Sequence, residues 1–405
     1  MFIYNRRGSA EPRHRYRKSD FEAAVKKLET DIPDAKARSG RVKELEAAHP
    51  HVMVMRDEVD RKAFILKRGQ YDDKGEEVDP GLPEAFSPVP EGESLTRLDL
   101  ARWLVDGKHP LTSRVFVNRI WEQFFGTGIV KSSENLGRQS DWPSHPQLLD
   151  WIAVDFVESG WDVKGLIRAI VMSRSYRQSS IIDEERLQRD PENRLLSRGP
   201  RTRLQAEMLR DQALFLSGLL VERIGGPSWW VYQPAGLWLE VEKRGTFVQD
   251  HGEKLYRRSL YSRIRRTVAP PSMLLFDMPS REMCSVKRTL TNTPLQALAL
   301  LNEVTYVEAA KKFAERMMTK GGTPGERIAW GFRSATSRVA EKEELEILVK
   351  GYKRRVERYR RDGKAAEDLL GQGESKIAAY LPKPEMAALT TVANVILNLD
   401  EVINR

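Results

Sequence analysis

Three short sequences of the form Ser/Thr-x-x-Gln constrain most strongly what this chain can fold into. They are Ser144 with Gln147, Thr202 with Gln205, and Thr293 with Gln296. In such a capping box, the hydroxyl and the amide satisfy backbone N–H groups that the first turn of a helix leaves unpaired. Pro294 follows the third cap at the first helical position, where the missing N–H of proline costs nothing. The three boxes therefore predict helices that begin at these sites.

Apolar side chains follow two of these starts at helical spacing. After the third box they include Leu298, Leu301 and Val304, and we expect that helix to continue to Met318. The same spacing predicts further helices over 98–105, 111–125, 163–176, 323–337, 341–361 and 384–399. The predicted fold is mainly α: a multi-helix packed body with a small β hairpin near the N-terminus and a partly β insertion.

The chain has 405 residues, which is too long for one small domain of roughly 150 residues. Composition predicts five segments: a basic lead-in with linker helices (1–50), a short β segment and Pro-rich connection (51–92), a helical subdomain (93–224), an irregular, partly β insertion (225–271), and a C-terminal helical subdomain (272–405). We expect strands only within 52–68 and the insertion. The insertion far exceeds the roughly 12–15 residues of a structureless loop, so it is a candidate functional segment.

Several classes of protein are disfavoured by composition. The chain contains no run near the roughly 18 apolar residues of a membrane helix, so we expect no membrane span. It shows no signal peptide, and it reads as either cytoplasmic or cut from something longer. Its sole cysteine, Cys284, cannot form an internal disulfide or a zinc set. We therefore predict neither a metal nor a cofactor.

Two carboxylates on one predicted helix are candidates for general acid–base catalysis. Glu207 and Asp211 are four residues apart, and Asp211 shares a stripe with Met208 and Phe215 that should face the interior. Like charges and burial in such a pair would separate the two pKa values. The alternative interpretation is structural, because arginines crowd the same stretch and buried acids commonly pair with them. These arginines are Arg198, Arg201, Arg203 and Arg210.

His251 is the third acid–base candidate, and it lies in the insertion beside Asp250 and Glu253. A metal site would need several ligands in a set geometry, and only one imidazole is present there. We therefore expect no metal at this position. A purely structural role for His251 is the alternative.

A basic and aromatic stretch is the predicted ligand-binding site. Between Lys254 and Phe276 there are six Lys or Arg residues and no acid, and a group of tryptophans lies just upstream. Arginine forks bind oxyanions in pairs of hydrogen bonds, and flat rings can stack on sugars. The predicted set is Arg257, Arg258, Tyr261, Arg263, Arg265, Trp230 and Trp238. In the alternative interpretation the arginines pair with acids of neighbouring helices and the rings fill a core.

Two further polar features have structural interpretations. Asn118 and Arg119 lie in a helix that is apolar nearly all round, so we expect both to be buried as a structural clamp. The net charge of +9 is spread over 67 basic and 58 acidic residues, and no nucleic-acid motif accompanies it. Nucleic-acid binding is therefore the least favoured function.

Several multi-residue motifs resemble one known family. They are RLDLARWLVDGKHPLTSRVFVNRIWEQFFGTGIV from Arg97, PSHPQLLDWIAVDFVESGWDVKGLIRAIVMSRSYRQSS from Pro143, DPENRLL from Asp190, GGPSWWVYQPAGLWLEV from Gly225, YRRSLY from Tyr256, PPSMLLFDMPSRE from Pro270 and RTLTNTPLQALALLNE from Arg288. The chain resembles, from about His51 to its end, a PSD-type domain of unknown function. That domain forms the C-terminal half of planctomycete proteins that carry cytochrome-c-like domains. One departure is Ile264, which stands where the family pattern suggests an aromatic residue.

The resemblance implies a setting rather than a reaction. Family members typically carry a secretion signal and a haem-binding Cys-x-x-Cys-His segment, neither of which is present here. This suggests a shortened or split relative, located in the periplasm or cell envelope if its N-terminus is truncated. The leading hypothesis is a binding or scaffolding module that contacts an anionic glycan or a partner protein. The alternatives are a polysaccharide-acting hydrolase that uses a carboxylate pair and, last, a nucleic-acid-binding protein.

Overall fold

A computed structural model describes residues 13–14, 18–48, 51–52, 62–83, 86, 95–234, 236–238, 247–265 and 268–404. Across these residues the fold is mainly α, with a two-stranded antiparallel hairpin near the N-terminus, which confirms the predicted fold class. No helix in the described ranges has the length and apolar character needed to cross a membrane. The described chain forms two compact units, residues 1–83 with 89–100 and residues 84–88 with 101–405.

The helices up to residue 217 are α1 (Lys18–Asp31), α2 (Ala35–Ala48), α3 (Arg97–Leu104), α4 (Thr112–Phe125), α5 (Pro146–Glu158), α6 (Val163–Met172), α7 (Arg174–Arg177), α8 (Glu184–Arg189) and α9 (Ala206–Ser217). The later helices are α10 (Pro271–Leu275), α11 (Pro294–Asn302), α12 (Val304–Met318), α13 (Pro324–Thr336), α14 (Lys342–Arg361), α15 (Gly363–Leu370), α16 (Lys383–Leu397) and α17 (Asp400–Ile403). Most of the predicted helices are found within one or two residues of their expected bounds.

Two predicted helices are interrupted. The stretch 163–176 divides at Ser173, whose hydroxyl caps the short α7 by accepting from the Tyr176 N–H at 3.2 Å. The helix expected to run from Thr293 to Met318 divides at Glu303 into α11 and α12. The second break proves important, because it places a carboxylate at a helix start.

One of the three predicted capping boxes forms. The Thr293–Gln296 box is present, and the Thr293 N–H donates to Oε1 of Gln296 at 3.3 Å. The Thr202 prediction was wrong, since α9 begins at Ala206 with Gln205 as its N-cap. The Thr202 side chain instead fills the space above Gly126, where an added Cβ would lie 2.2 Å from the Thr202 hydroxyl oxygen.

The Ser144 prediction was also wrong. His145 is the N-cap of α5, and the Ser144 hydroxyl donates to the Ile129 carbonyl at 3.4 Å. Tertiary hydrogen bonding has thus taken a side chain that a local capping rule assigned to the helix.

The first unit contains short antiparallel pairs. Strand β1 (Arg13–His14) pairs with β2 (His51–Val52), and β3 (Ala63–Leu66) pairs with β4 (Lys74–Val78). Strand β4 lies in the stretch that was expected to be an extended connection outside any strand, so that expectation was wrong. Its charged residues find partners on β3 or beside it: the Lys74 ammonium lies 4.8 Å from the Phe64 ring centroid, and Lys62 donates to Glu77 at 3.0 Å.

The described part of the insertion contains isolated β-bridges rather than a continuous strand. Two of them join Trp229 to Ser262 and Val221 to Arg257. Short 3₁₀ turns cover Gly252–Tyr256 and Ser259–Tyr261. The insertion is therefore an ordered element held by side chains.

The second unit has three hydrophobic clusters in chain order. The first joins α4, α5 and α6, the second joins α9 to the insertion and α10–α12, and the third joins α12 to α13–α16. Trp229 and Leu255 of the insertion are each 1% exposed within the second cluster. The insertion is thus part of the core, which fixes the polar side chains that it carries.

The predicted Asn118 clamp is confirmed. Its amide donates to the Val130 carbonyl at 3.0 Å and to Ser133 at 3.3 Å, and it accepts from the Val130 N–H at 2.9 Å. Arg119 was wrongly included in the clamp, because its side chain is exposed.

Candidate functional site

A cleft of about 860 Å³ opens beside the second cluster. Four segments form it: the insertion, α10, the α11–α12 junction, and the loop that follows α15. Its lining residues are Tyr232, Gln233, Pro234, Gln249, Pro271, Ser272, Leu275, Leu295, Leu298, Ala299, Asn302, Glu303, Val304, Gln372, Gly373 and Glu374. Because these segments are far apart in sequence, only the packed core brings them together.

The cleft has an apolar side and a polar side. Leu295 and Leu298 of α11 present more than half of their surface to solvent, at 57% and 55%. The polar side carries amides and carboxylates, among them Gln249, Glu303 and Glu374. Such a surface suits a ligand with both an apolar face and many hydroxyl groups.

Glu303 ends α11 and begins α12. Its carboxylate accepts from the Thr305 N–H at 2.9 Å and from the Thr305 hydroxyl at 3.1 Å. Burial raises the pKa of Glu303, although these two donors and the charge of Arg210 act in the opposite direction. Burial dominates, so this carboxyl holds its proton to a higher pH than an exposed glutamate.

Glu374 lies in the loop after α15 and is strongly hydrogen-bonded. It accepts from the Gly252 N–H at 3.0 Å and from Gln249 at 3.3 Å, and it contacts Nδ1 of His251. Partial burial acts to raise its pKa, but the Gly252 N–H and His251 outweigh that effect and the pKa is lowered. The two cleft carboxylates thus have pKa values shifted in opposite directions.

A buried network holds the Glu374 loop in place. The Glu308 carboxylate on α12 accepts from the Tyr232 hydroxyl at 3.1 Å, the Tyr256 hydroxyl at 2.9 Å and the Ser375 N–H at 2.6 Å. The Tyr232 hydroxyl in turn accepts from the Glu374 N–H at 3.1 Å. Burial, together with the Glu308 charge, raises the pKa of both tyrosines, so both stay protonated as donors.

Lys311 supports the same loop from within the core. It is completely buried, and its ammonium donates to the carbonyls of Gln372 and Ser375 at 2.6 Å each and to that of Leu370 at 3.2 Å. Gly373 has φ 73° and lies so close to Glu308 that a Cβ would be 2.3 Å from the carboxylate carbon. The loop is therefore fixed by backbone contacts that require glycine there.

The predicted pair Glu207 and Asp211 is not in this cleft. Glu207 receives two hydrogen bonds from Arg288, at 2.7 and 3.2 Å, and Asp211 accepts from the Ser259 N–H at 2.7 Å. The expected interior stripe was wrong, because Met208 and Phe215 are 39% and 63% exposed. Both carboxylates are thus occupied in structural contacts of the kind the alternative interpretation expected.

His251 lies beside the cleft through its contact with Glu374, and 73% of its side chain is exposed. It is therefore the one acid–base candidate from the sequence that the structure brings near the cleft. Its direct effect is on Glu374, whose pKa it helps to lower.

The predicted arginine set has mixed environments. Arg257 is 6% exposed and donates to the carbonyls of Pro227 at 2.8 Å, Arg223 at 3.3 Å and Gly225, with its guanidinium 4.3 Å from the Tyr261 ring centroid. Those contacts occupy it inside the protein. Arg258 is exposed.

The predicted tryptophans form a closed aromatic group. The Trp230 and Trp238 ring centroids are 5.0 Å apart, and Arg263 and Arg265 lie over them at 4.6 and 4.8 Å. Trp238 is 3% exposed, and its indole N–H donates to Gln233 of the cleft at 2.6 Å. In this arrangement the rings position a cleft amide.

A second cavity of about 950 Å³ lies near Glu207. It is lined by Glu122, Gln123, Gly126, Glu134, Thr202, Arg203, Gln205, Cys284, Ser285, Val286, Lys287, Arg288, Thr289 and Leu290. Its main charged groups pair internally, with Arg288 on Glu207 and Lys287 3.4 Å from Glu122. Within the described ranges, no group of three or more His, Cys, Asp or Glu residues could hold a metal ion.

The sequence analysis missed Glu303 and Glu374. The capping signal at Glu303 was hidden inside an apparently continuous apolar stripe, and the one available sign was Thr305, which supplies two donors to the cap. Glu374 lies in a short Gly-rich connection, GQGES, with no local pattern that indicates a site. Only the packing of this connection against α12 and the insertion gives it a role.

A family model described as PSD1, protein of unknown function (DUF1553), matches residues 96–352. The match covers more than half of the chain. The chain belongs to this family. The resemblance inferred from the motifs is therefore confirmed at family level.

The PSD1 match includes three of the four segments that form the cleft. Glu303 lies inside the matched residues, and Glu374 lies after them. No curated protein and no solved structure matches the chain. The chemistry of the site therefore has to be argued from its geometry.

Proposed function

We propose that this PSD1-family chain is a glycan-binding module whose ligand occupies the cleft between α10, α11, the insertion and the loop after α15. The observation that carries the proposal is the two-sided lining of the cleft. The exposed leucines of α11 suit the apolar face of a sugar ring, and amides and carboxylates suit its hydroxyl groups. The cell-envelope setting implied by the family resemblance belongs to the same proposal.

The charges of the cleft favour an uncharged glycan over an anionic one. Glu303 and Glu374 both line it, and a sulfate or carboxylate placed between them would be repelled. The arginine expected to bind such a group, Arg257, is buried against backbone carbonyls. The exposed Arg258 and Arg263 are the part of the predicted oxyanion site that an anionic glycan could still reach.

The test is binding to a panel of neutral, sulfated and carboxylated oligosaccharides, followed by titration calorimetry. Leu298→Asp should weaken binding of a neutral oligosaccharide at least about tenfold, because it puts a charge on the apolar wall. Leu298 is 55% exposed, so folding should survive. Leu260→Asp is the matched control, since Leu260 is 74% exposed and lies outside the cleft.

Two results would overturn the proposal. One is the absence of binding to any neutral oligosaccharide, and the other is equal binding by the Leu298→Asp and Leu260→Asp variants. Binding only to sulfated glycans, lost on Arg258→Ala with Arg263→Ala, would move the site to the arginine surface. Binding of a protein partner alone would favour the scaffolding hypothesis instead.

A further inference from the structure

We infer that the cleft hydrolyses a glycosidic bond, with Glu303 as the general acid and Glu374 as the general base. This inference rests on the proposed glycan-binding function. Both carboxylates line the one cleft, yet they come from separate segments, the α11–α12 junction and the loop after α15. The fold therefore directs two carboxylates at a single bound molecule, which is the arrangement that glycoside hydrolysis requires.

The surroundings of the two carboxylates suit different roles. Glu303 accepts only local hydrogen bonds from Thr305, and its burial favours the protonated form. Glu374 accepts from Gly252 and Gln249 and contacts His251, which favours the ionised form. A pair of carboxyl groups separated in this way can supply an acid and a base at the same pH.

The reaction can be written with these two groups and water. The protonated Glu303 carboxyl gives its proton to the glycosidic oxygen while the bond from the anomeric carbon to that oxygen breaks, and the electron pair stays on the oxygen. Glu374 takes a proton from a water molecule, whose oxygen forms the new bond to the anomeric carbon. Glu303 is left ionised and Glu374 protonated, and exchange with solvent restores both.

Other buried groups would position the base without touching the substrate. The Tyr232 hydroxyl accepts from the Glu374 N–H, and it donates to Glu308. Lys311 holds the carbonyls on either side of Glu374 at Gln372 and Ser375. This support from the core is what a catalytic carboxylate on a loop needs to keep its geometry.

A purely structural role is the competing explanation for both residues, since Glu303 caps α12 and Glu374 fastens the insertion. The experiment therefore uses a readout that capping would not affect. Release of reducing ends is measured from cellohexaose, xylohexaose, mannohexaose and maltohexaose, and cleavage of the corresponding dinitrophenyl glycosides is measured in parallel across pH. A dinitrophenyl leaving group departs without protonation, so it does not need a general acid.

We expect Glu303→Gln to slow oligosaccharide cleavage at least about 100-fold, while the dinitrophenyl glycoside is cleaved within about tenfold of the native rate. The high-pH limb of the rate profile should disappear in that variant. Glu374→Gln should slow both substrates, and Glu374→Asp provides a second variant if the first fails to fold. Glu326→Gln, an exposed helix-capping glutamate outside the cleft, should cleave at the native rate.

The outcomes separate this inference from the proposed function. Oligosaccharide that binds but is not cleaved would overturn the hydrolase and leave the binding module intact, whereas absence of binding would overturn both. Cleavage by Glu303→Gln at the native rate on both substrates would overturn the acid assignment. Retention of the anomeric configuration, followed by NMR, would overturn the general-base role of Glu374 in favour of a nucleophile.

Discussion

At the scale of single residues, position relative to water decides what a carboxylate does. Glu303 and Glu326 both belong to helix starts in this chain, at α12 and α13 respectively. Burial raises the pKa of Glu303, whereas the Thr323 N–H and hydroxyl and the Gly322 N–H lower the pKa of the exposed Glu326. The same local function thus comes with opposite protonation preferences.

This contrast predicts opposite responses to removal of the charge. The raised pKa of Glu303 means that its ionised form costs stability above the folded-state pKa, and that the cost is absent below the ordinary value of 4.5. Glu303→Gln keeps an oxygen acceptor for Thr305, so it should raise Tm at pH 7 and have almost no effect at pH 4.

Glu326→Gln is the control with the opposite sign. The lowered pKa of Glu326 gives stability above 4.5, and that stability is lost as the pH falls through the folded-state value. The variant should therefore lower Tm at pH 7 and do so less at pH 3. Thermal melts by circular dichroism at these pH values provide the measurement, and a Glu303→Gln protein less stable than native at pH 7 would contradict the assignment of a buried charge.

At the scale of elements, the insertion is fastened to α9 by buried charged side chains that bond backbone. Arg210 donates to the carbonyls of Arg257 at 2.9 Å and of Leu255, and to the Ser259 hydroxyl at 3.2 Å. The Arg210 guanidinium also lies 4.7 Å from the Trp229 ring centroid. These contacts replace the strand pairing that an ordered non-helical segment would otherwise use.

The neighbouring residues Arg257 and Arg258 give a matched test of this description. Arg257→Ala removes the donor of three backbone carbonyls from a buried position, and it should destabilise the fold by about 2–4 kcal/mol. Arg258→Ala changes an exposed side chain and should stay within about 0.5 kcal/mol. Urea denaturation of the two single variants measures both values. Equal stability of the two proteins would show that Arg257 is not a structural clamp and would return it to the predicted oxyanion site.

At the scale of the second unit, the last residues of the described chain bond distant segments. The Leu204 N–H donates to the Ile403 carbonyl at 2.9 Å, just before α9. Arg338, between α13 and α14, forms hydrogen bonds to both Glu344 and Glu401, with distances from 2.6 to 2.8 Å. The unit is thus closed by contacts between residues far apart in sequence.

The Arg338 cluster predicts part of the acid sensitivity of the protein. Its hydrogen bonds lower the pKa of Glu344 to about 2. A lowered pKa means that the stabilisation is complete above the ordinary value of 4.5 and is lost as the pH falls through about 2. The native protein should therefore exceed Glu344→Gln in urea midpoint at pH 7, and the two should converge between pH 4 and 2.

The expected difference is small, because exposed ion pairs contribute about 0–1 kcal/mol. Glu346→Gln, an exposed change two positions further along α14, is the control and should leave the midpoint unchanged. A gap between native and Glu344→Gln that is as large at pH 2 as at pH 7 would refute the linkage.

The sequence predicted the helices well because helical spacing and proline or glycine boundaries are local signals. It found the Asn118 clamp by the same logic, since a polar side chain in an apolar helix must be satisfied inside. It failed at Ser144 and Thr202, where tertiary contacts took the side chains that local rules assigned to caps. It also placed the catalytic pair on α9, because two carboxylates four residues apart form an obvious pattern while two distant ones form none.

By itself, the sequence determined that this chain is mainly helical, that the insertion is an ordered segment and that the chain resembles the PSD1 family. Each of these follows from residues that act over a few turns of chain or in a fixed order. Tertiary structure alone decided that Glu303 interrupts a helix, that Arg257 is buried against carbonyls, and that Glu374 lies in the cleft with Glu303. The reason is physical: burial and the meeting of distant segments set the partners and the pKa of a charged side chain, and neither is encoded in its immediate neighbours.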